Sequence, residues 1–303
     1  MSTINVDIVN PQSGTTVNVN GVITKKETNK PLILWAGTSQ SSAGAGVTIV
    51  GEEAMIANTG NENTAIGFGA ARTNTTGATN TALGHQSLYE NTTGSGNTAL
   101  GKDSMFGSLS GLSNTAVGNQ SLYLCKGDYN TAIGHSAGFG ITTGSNNALL
   151  GVQAGNTITT GSNNVVIGQD AQPATATSNN SVTLGNGAIS VLRCNVTSIT
   201  SLSDARDKKE ITELSAGLDF VKGLKPVEFV WNERDGLKKD IKDFGFIAQD
   251  LKKAQEDAEL AETLKLVYEE NPEKLEASYG KLIPILVKAI QDLSAKVEAL
   301  EAK

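Results

Sequence analysis

A repeat of about 17 residues constrains this chain more than any other feature. A short phrase of the type NTAIG ends in glycine and recurs, exactly or loosely, at 63–67, 80–84, 97–101, 114–118, 130–134, 147–151, 164–168 and 181–185. With one earlier glycine, the closing glycines are spaced 16 or 17 residues apart, at Gly51, Gly67, Gly84, Gly101, Gly118, Gly134, Gly151, Gly168 and Gly185. Such a period predicts stacked copies of one small unit.

Each unit contains a second glycine with the same spacing, at Gly60, Gly77, Gly94, Gly111, Gly127, Gly144 and Gly161. Glycine adopts backbone conformations that other residues avoid, so the chain can fold back at each of these turns. We therefore predict a mainly β protein with a β-solenoid or β-roll rod of nine coils over 51–200. We expect the Ala of each phrase and the Ile, Leu or Val after it to form the buried stripe, and Asn and Thr to form ladders between coils.

The predicted coil is thin, because its key segment contributes about two apolar residues to a core. Residues 1–203 also hold only 7 of the 24 Lys and Arg residues and 9 of the 31 Asp and Glu residues. A surface with so few charges is typical of faces that are covered, since burying charge is costly. These features together predict a rod built from several identical chains.

The first 50 residues precede the regular repeat. Segments 4–10 and 15–24 alternate apolar and polar residues, which predicts strands, and 11–14 reads as a turn between them. A short apolar run at 32–37 contains Trp35. We predict that 1–50 forms a β cap over the open end of the solenoid, and that the same region docks the rod on a larger particle.

The chain changes character at SLSDARDKKE (201–210), after which charged residues are frequent and glycine is rare. The predicted C-terminal domain, 201–303, is small and α+β. It starts with a helical face formed by Leu214, Leu218 and Val221 within 211–223. Next come a strand at 226–231, a hairpin turn at 232–240 and a strand that runs into a helix over 243–255.

The last helix, predicted over 282–303, carries the plainest apolar pattern of the chain. Apolar residues alternate at spacings of three and four, at Ile283, Leu286, Ile290, Leu293, Val297 and Leu300. This is the a/d seam of a coiled coil. A single amphipathic helix packed on its own domain is the alternative, but the strict alternation favours self-association.

The last hundred residues resemble the C-terminal intramolecular chaperone domain of phage tail spikes and fibres, a family also classed as a self-cleaving endopeptidase (peptidase S74). The residues that carry the resemblance are Ser203-Asp204-Ala205-Arg206-Asp207-Lys208, Pro226-Val227, Trp231, Gly245-Phe246-Ile247-Ala248-Gln249 and Tyr279 followed by LIPILVKAIQDL. Asp207 departs from the pattern, because the family more often has an apolar residue there.

The resemblance implies a single-turnover serine endopeptidase that cuts its own chain at the bond between Ser203 and Asp204. Ser203 would be the nucleophile and Lys208 the general base, a known variant of serine catalysis. A lysine acts as a base only when it is neutral, which requires burial or nearby positive charge. Arg206, and with it Lys209, would supply that charge.

The repeats in turn resemble the NTAIG-type repeats of phage tail fibres and the head repeats of trimeric adhesins, which implies three identical chains. The implied function is host attachment by a structural tail fibre or spike of the virion, made in the host cytoplasm. The implied partners are tail, baseplate or adaptor proteins at the N-terminus and a glycan or outer-membrane component on the host. A glycan-degrading tailspike and a trimeric bacterial surface adhesin remain alternatives.

Other classes of function have little support in the sequence. The net charge is −7 and no large basic patch is present, which argues against a nucleic-acid partner. The N-terminus lacks a secretion signal, and no apolar run has membrane-spanning length. We expect no cofactor and no metal: His85 and His135 occupy a variable slot that reads as a surface turn. Cys125 and Cys194 are expected to be unpaired structural thiols.

Overall fold

A computed structural model describes residues 44–193, 201, 203–234, 236 and 238–303, together with four short strands before residue 44. The chain divides into two compact units, Met1–Asn186 and Gly187–Lys303. Each unit has its own cluster of buried apolar side chains. The protein is mainly β in the first unit and mixed α and β in the second.

The first unit begins with three antiparallel strands, β1 (Ile8–Val9), β2 (Thr16–Val19) and β3 (Val22–Lys25). The next strand, β4 (Leu32–Ile33), pairs in parallel with the first strand of the solenoid. Segment 4–10 contains β1, as predicted, whereas segment 15–24 contains β2 and most of β3, which pair with each other. The turn at 11–14 and Trp35 lie outside the described residues, and the docking role of 1–50 stays a prediction.

The solenoid contains one strand of three residues per coil. These strands are β5 (Thr48–Val50), β6 (Thr64–Ile66), β7 (Thr81–Leu83), β8 (Thr98–Leu100), β9 (Thr115–Val117), β10 (Thr131–Ile133), β11 (Ala148–Leu150), β12 (Val165–Ile167) and β13 (Val182–Leu184). They form one parallel sheet in chain order, with equivalent residues of neighbouring coils opposite each other, as in Ala82 opposite Ala99. Nine strands bound eight full turns, and the predicted β-solenoid with coils of about 17 residues is confirmed.

The closing glycines are required by the stacking itself. Gly101 has φ +134°, a backbone conformation that side chains rarely permit, and a Cβ placed on it would lie 2.5 Å from the carbonyl oxygen of Gly118 in the next coil. Gly84 and Gly118 show the same geometry. The repeat period is thus fixed by a turn in which successive backbones touch.

Replacing Gly101 with Ala is expected to lower the stability of the solenoid by at least about 2 kcal/mol, because the new Cβ meets backbone atoms that cannot move aside. Gly107→Ala is the matched control, since a Cβ there would meet the flexible Leu124 side chain at 3.3 Å. The control is expected to change stability by less than about 1 kcal/mol. Thermal unfolding of both variants measures the two losses of stability. Equal losses would contradict this role of the closing glycines.

Inside each coil, a column of buried asparagines joins the turns. Asn97 accepts through Oδ1 from the backbone N–H of Asn114 (2.9 Å), and its Nδ2 donates to the carbonyl oxygen of Gly111 (2.7 Å). The same pattern recurs from coil to coil, as at Asn80 and Asn147. Buried amides are stable only when they are hydrogen-bonded, so the predicted asparagine ladder is confirmed as a structural column.

The prediction of the buried stripe is correct for the Ala of each phrase and wrong for the residue after it. Each central Ala is fully buried, as at Ala82 and Ala99, but the residue after it points outward because side chains alternate across a strand. These outer residues form an apolar ladder on the sheet, with six members between 40% and 52% exposed: Leu83, Leu100, Ile133, Leu150, Ile167 and Leu184. We call this set the outer ladder. The larger side chains of the interior come instead from the turns after the closing glycines and include Leu88, Met105 and Leu122.

The second unit begins with a short 3-10 helix (Ala205–Asp207), followed by α1 (Leu218–Lys222). A hairpin of β14 (Pro226–Asn232) and β15 (Lys239–Phe246) leads into α2 (Ala248–Asp257) and α3 (Ala261–Leu264). Strands β16 (Val267–Tyr268) and β17 (Glu276–Ala277) pair with each other, and a 3-10 turn (Tyr279–Lys281) opens α4 (Leu282–Glu301).

The helix predicted over 211–223 forms only in its second half, as α1. Gly217 lies against α4, where a Cβ would come within 2.0 Å of the Asp292 carboxylate. That carboxylate accepts a hydrogen bond from the backbone N–H of Leu218 at 3.0 Å. A contact between residues distant in sequence therefore sets the start of α1, and the periodicity of 211–217 is overridden.

Helix α4 has two apolar faces. Leu282, Ile285 and Ala289 are buried, and the first two belong to the core of the second unit, which they share with Phe220 of α1. The a/d seam faces away from that core, and all its members are at least 43% exposed: Ile283, Leu286, Ile290, Leu293, Val297 and Leu300. The helix thus completes its own domain with one face and leaves the other uncovered.

Candidate functional site

The two residues expected to act together are in direct contact. The Nζ atom of Lys208 donates a hydrogen bond to Oγ of Ser203 at 2.6 Å, and it lies 3.3 Å from the Ser203 carbonyl oxygen. That carbonyl belongs to the bond between Ser203 and Asp204. One amine therefore touches both the hydroxyl and the carbonyl of the residue at the implied cleavage point.

The local fold brings these groups together through one tight turn. Asp204 is the N-cap of the 3-10 helix Ala205–Asp207, and its Oδ1 accepts from the backbone N–H of Arg206 at 2.9 Å. The backbone N–H of Lys208 then bonds to the carbonyl oxygen of Ala205 at 3.2 Å. An acidic side chain at a helix start satisfies N–H groups that would otherwise lack a partner. The turn places Lys208 beside Ser203 although they are five residues apart.

Arg206 contacts the residue that follows the implied cleavage point. Its guanidinium contacts the Asp204 carboxylate through Nε at 3.0 and 3.1 Å and through Nη2 at 2.5 Å. This side-chain hydrogen bond, followed by the backbone bond from Arg206, lowers the pKa of Asp204, and the same pair raises the pKa of Arg206. The contact is fully exposed, so it orients Asp204 more than it stabilises the fold.

The positive charges expected to activate Lys208 are matched by carboxylates. Arg206 is occupied by Asp204, and Nζ of Lys209 lies 3.9 Å from Oε1 of Glu210. Ser203 and Lys208 are exposed. A single chain therefore provides the contact of Ser203 with Lys208, while Arg206 and Lys209 each lie beside a carboxylate. Asp207, where the family pattern is apolar, is exposed as well.

Several other residues of the resemblance form a structural cluster. The hydroxyl of Tyr279 accepts from the backbone N–H of Phe246 at 3.1 Å, and a Cβ on Gly245 would lie 2.6 Å from the same oxygen. This contact joins the end of β15 to the start of α4. A groove lies beside it, lined by Pro226, Val227, Glu228, Phe244, Gly245, Phe246, Tyr279 and Leu282. These residues were given no role from the sequence. The sequence feature that could have indicated the contact is Gly245 next to the aromatic residue Phe246.

The histidines and the cysteine of the solenoid have structural surroundings. His85 is exposed on a turn and stacks on Phe68, with ring centroids 5.4 Å apart, and His135 is exposed at the equivalent position. Cys125 is a free, buried thiol whose pKa is raised to about 12 by its burial, which disfavours the reactive thiolate. Cys194 lies outside the described residues.

Within the described part of the chain, no group of three or more His, Cys, Asp or Glu side chains is arranged to hold a metal ion. In the same residues, no helix combines the length and the apolar character needed to cross a membrane.

One comparison with known protein families gives a match that includes the site. Residues 203–260 match the family model Peptidase_S74, described as chaperone of endosialidase. No curated protein and no solved structure matches the chain. The match begins at Ser203, covers the Lys208 contact, the β14–β15 hairpin and α2, and leaves the solenoid and α4 outside. Residues 203–260 are therefore similar to the chaperone-of-endosialidase family, and such a segment after a β-solenoid in the chain fits a tail fibre or tailspike with a C-terminal chaperone domain.

Proposed function

We propose that this protein is a structural tail fibre or spike of a phage that takes part in host attachment, and that its C-terminal domain brings three chains together and then cuts itself off between Ser203 and Asp204. The observation that carries the proposal is the position of the family match. It starts at the border between solenoid and charged domain, at the serine whose hydroxyl contacts Lys208. Cleavage there would release the rod from the domain that assembled it.

The outer ladder supports association of the rods. Apolar side chains follow one another along the sheet from coil to coil, and charged residues are scarce in the solenoid. A continuous apolar stripe on a soluble surface marks a place where another surface packs. A second and third copy of the same chain supply matching stripes of the same length, because every coil of one copy has an equivalent in the others.

The exposed seam of α4 supports association at the other end. Its a positions are Ile283, Ile290 and Val297, and its d positions are all Leu. In the heptad that this seam defines, Lys296 and Glu301 occupy the flanking positions that pair between parallel neighbours. Ile or Val followed by Leu favours two strands in an isolated coiled coil. The number three therefore rests on the resemblance of the repeats and on contacts outside α4.

The β14–β15 hairpin also presents uncovered apolar side chains. Phe244 is 79% exposed, and Val230 on the paired strand is 54% exposed. A two-stranded hairpin is marginally stable in water unless something packs against it. Neighbouring copies of the domain would provide that cover, and the same association would shield the exposed Lys208 amine from water.

Replacing Ile290 with Asp is expected to weaken assembly strongly, because three charges would meet in the apolar seam. Sedimentation velocity should then show monomers where the wild type sediments as a trimer, with a loss of affinity of at least about 100-fold. Gln291→Asp is the matched control, since that side chain lies one position outside the seam and is exposed. If both variants stay trimeric, the seam has no part in assembly.

The place of the protein in a virion is tested by fractionation. We expect residues 1–203 to copurify with intact phage particles through a density gradient, and we expect no depolymerisation of host polysaccharide by the purified protein. Recovery of the chain from the host envelope alone would favour the adhesin alternative. Release of oligosaccharides would favour the tailspike enzyme.

A further inference from the structure

The hydroxyl that contacts Lys208 belongs to the same residue as the carbonyl that would be cut. Oγ of Ser203 is joined to that carbonyl carbon through Cβ and Cα only. Direct attack within one chain would close a ring of four atoms, with angles near 90° where the relaxed backbone angle is about 111°. The strain of bending bond angles rises roughly quadratically with the deviation, so this route is a poor one.

We propose that the nucleophile is a water molecule, and that the Ser203 hydroxyl relays its proton to Lys208 of the same chain. This inference rests on the proposed self-cleavage and changes the role of Ser203 within it. A water placed between Oγ and the carbonyl carbon forms a six-membered ring of carbonyl carbon, Cα, Cβ, Oγ, the proton in transfer and the water oxygen. Such a ring needs none of the angular strain of direct attack.

The atoms balance without any co-reactant other than water. The water oxygen bonds to the Ser203 carbonyl carbon while its proton passes to Oγ, and the Oγ proton passes to the neutral Lys208 amine. The carbonyl oxygen becomes an oxyanion beside the resulting ammonium group. The carbon–nitrogen bond to Asp204 then breaks, and Lys208 returns the proton to the leaving nitrogen. The products are a carboxyl group on Ser203 and a free amine on Asp204.

The observed contacts fit these roles of Ser203 and Lys208. Nζ of Lys208 lies 2.6 Å from Oγ, where it can take the proton, and 3.3 Å from the carbonyl oxygen, where the negative charge develops. Ser203 and Asp204 are exposed in the single chain, so a water molecule can lie against the bond before neighbouring copies cover the site. Arg206 acts as a positioning residue, since its grip on the Asp204 carboxylate fixes the leaving side of the bond.

Mixed assemblies test the inference. Full-length Ser203→Ala chains with an N-terminal affinity tag are refolded with untagged wild-type chains, and assemblies that contain both are isolated by the tag. We expect the wild-type chains to be cut. The Ser203→Ala chains beside them should be cut at least about 100-fold more slowly and therefore stay whole. Cutting of the Ser203→Ala chains would show that a neighbour's hydroxyl is the nucleophile, and would overturn the inference.

Two further measurements separate the possible failures. In a control mixture of tagged and untagged wild-type chains, both should be cut, and absence of cutting there would refute self-cleavage as a whole. Refolding wild type in hydroxylamine should leave a plain carboxyl group on Ser203. A hydroxamate at that position, seen by mass spectrometry, would reveal an ester intermediate and exclude the water mechanism while leaving cleavage intact.

Discussion

A chain with Ser203 replaced by Ala is expected to remain a single full-length band on a denaturing gel, whereas the wild type separates into residues 1–203 and 204–303. The hydroxyl is the group that the Lys208 amine contacts at 2.6 Å, and the same amine lies 3.3 Å from the carbonyl oxygen of the bond proposed to be cut. Loss of a proton-transferring group typically slows a reaction by about 10²–10⁴-fold. With a rate lowered this much, no cleavage is expected on the time scale of refolding.

Lys208→Met should have the same effect, because it removes both the proton acceptor and the donor near the carbonyl oxygen. Ser201→Ala and Lys225→Met are the matched controls, as both residues are exposed and lie outside the dyad, and we expect normal cleavage of both variants. Circular dichroism and sedimentation of each uncut variant verify that it is folded and assembled. Identical patterns for wild type and Ser203→Ala would refute cleavage at this site.

The sequence was sufficient to predict the solenoid because its period is set by local geometry. A glycine such as Gly101 is needed wherever the backbone takes a positive φ and touches the next coil. The asparagine column follows from the same period, since every coil repeats the position of Asn97. Both depend on short stretches of chain, which is why spacing alone revealed them.

The outward orientation of the side chains in the outer ladder was not predictable from the repeat. A run such as Ala-Leu can bury both residues in a helix or a flat core, but a three-residue strand turns only its central residue inward. Leu100 is therefore outside and Ala99 inside. Likewise, the start of α1 depends on Asp292, a partner more than seventy residues away. Contacts of that range leave no mark on local periodicity.

For the site, the sequence named the residues but not their contacts. Ser203, Asp204, Arg206 and Lys208 were identified by their resemblance to a family motif, and the family match covers them. Their spacing does not reveal that Arg206 pairs with Asp204 or that Lys208 reaches the carbonyl oxygen. These contacts depend on the 3-10 turn between them, and they motivate the water mechanism.

Removal of the C-terminal domain is the second change with a large expected effect. Coils that are nearly identical specify their mutual register weakly, because a slip by one unit exchanges one set of like contacts for another. Pairing between distant segments is also slow to form. A compact domain that joins three chains at matched positions before the rod forms would remove the slipped alternatives. Cleavage afterwards would make the assembled rod long-lived for kinetic reasons.

Refolding a chain that ends at Thr200, beside the full-length protein, tests this dependence most directly. Both are diluted from denaturant under the same conditions, and native mass spectrometry with thermal unfolding reports the number of chains and their stability. The account predicts one thermostable trimer from the full-length protein, and monomers, mixed oligomers or aggregates from the shortened chain. A shortened chain that assembles unaided, in equal yield, into the same thermostable trimer would contradict it.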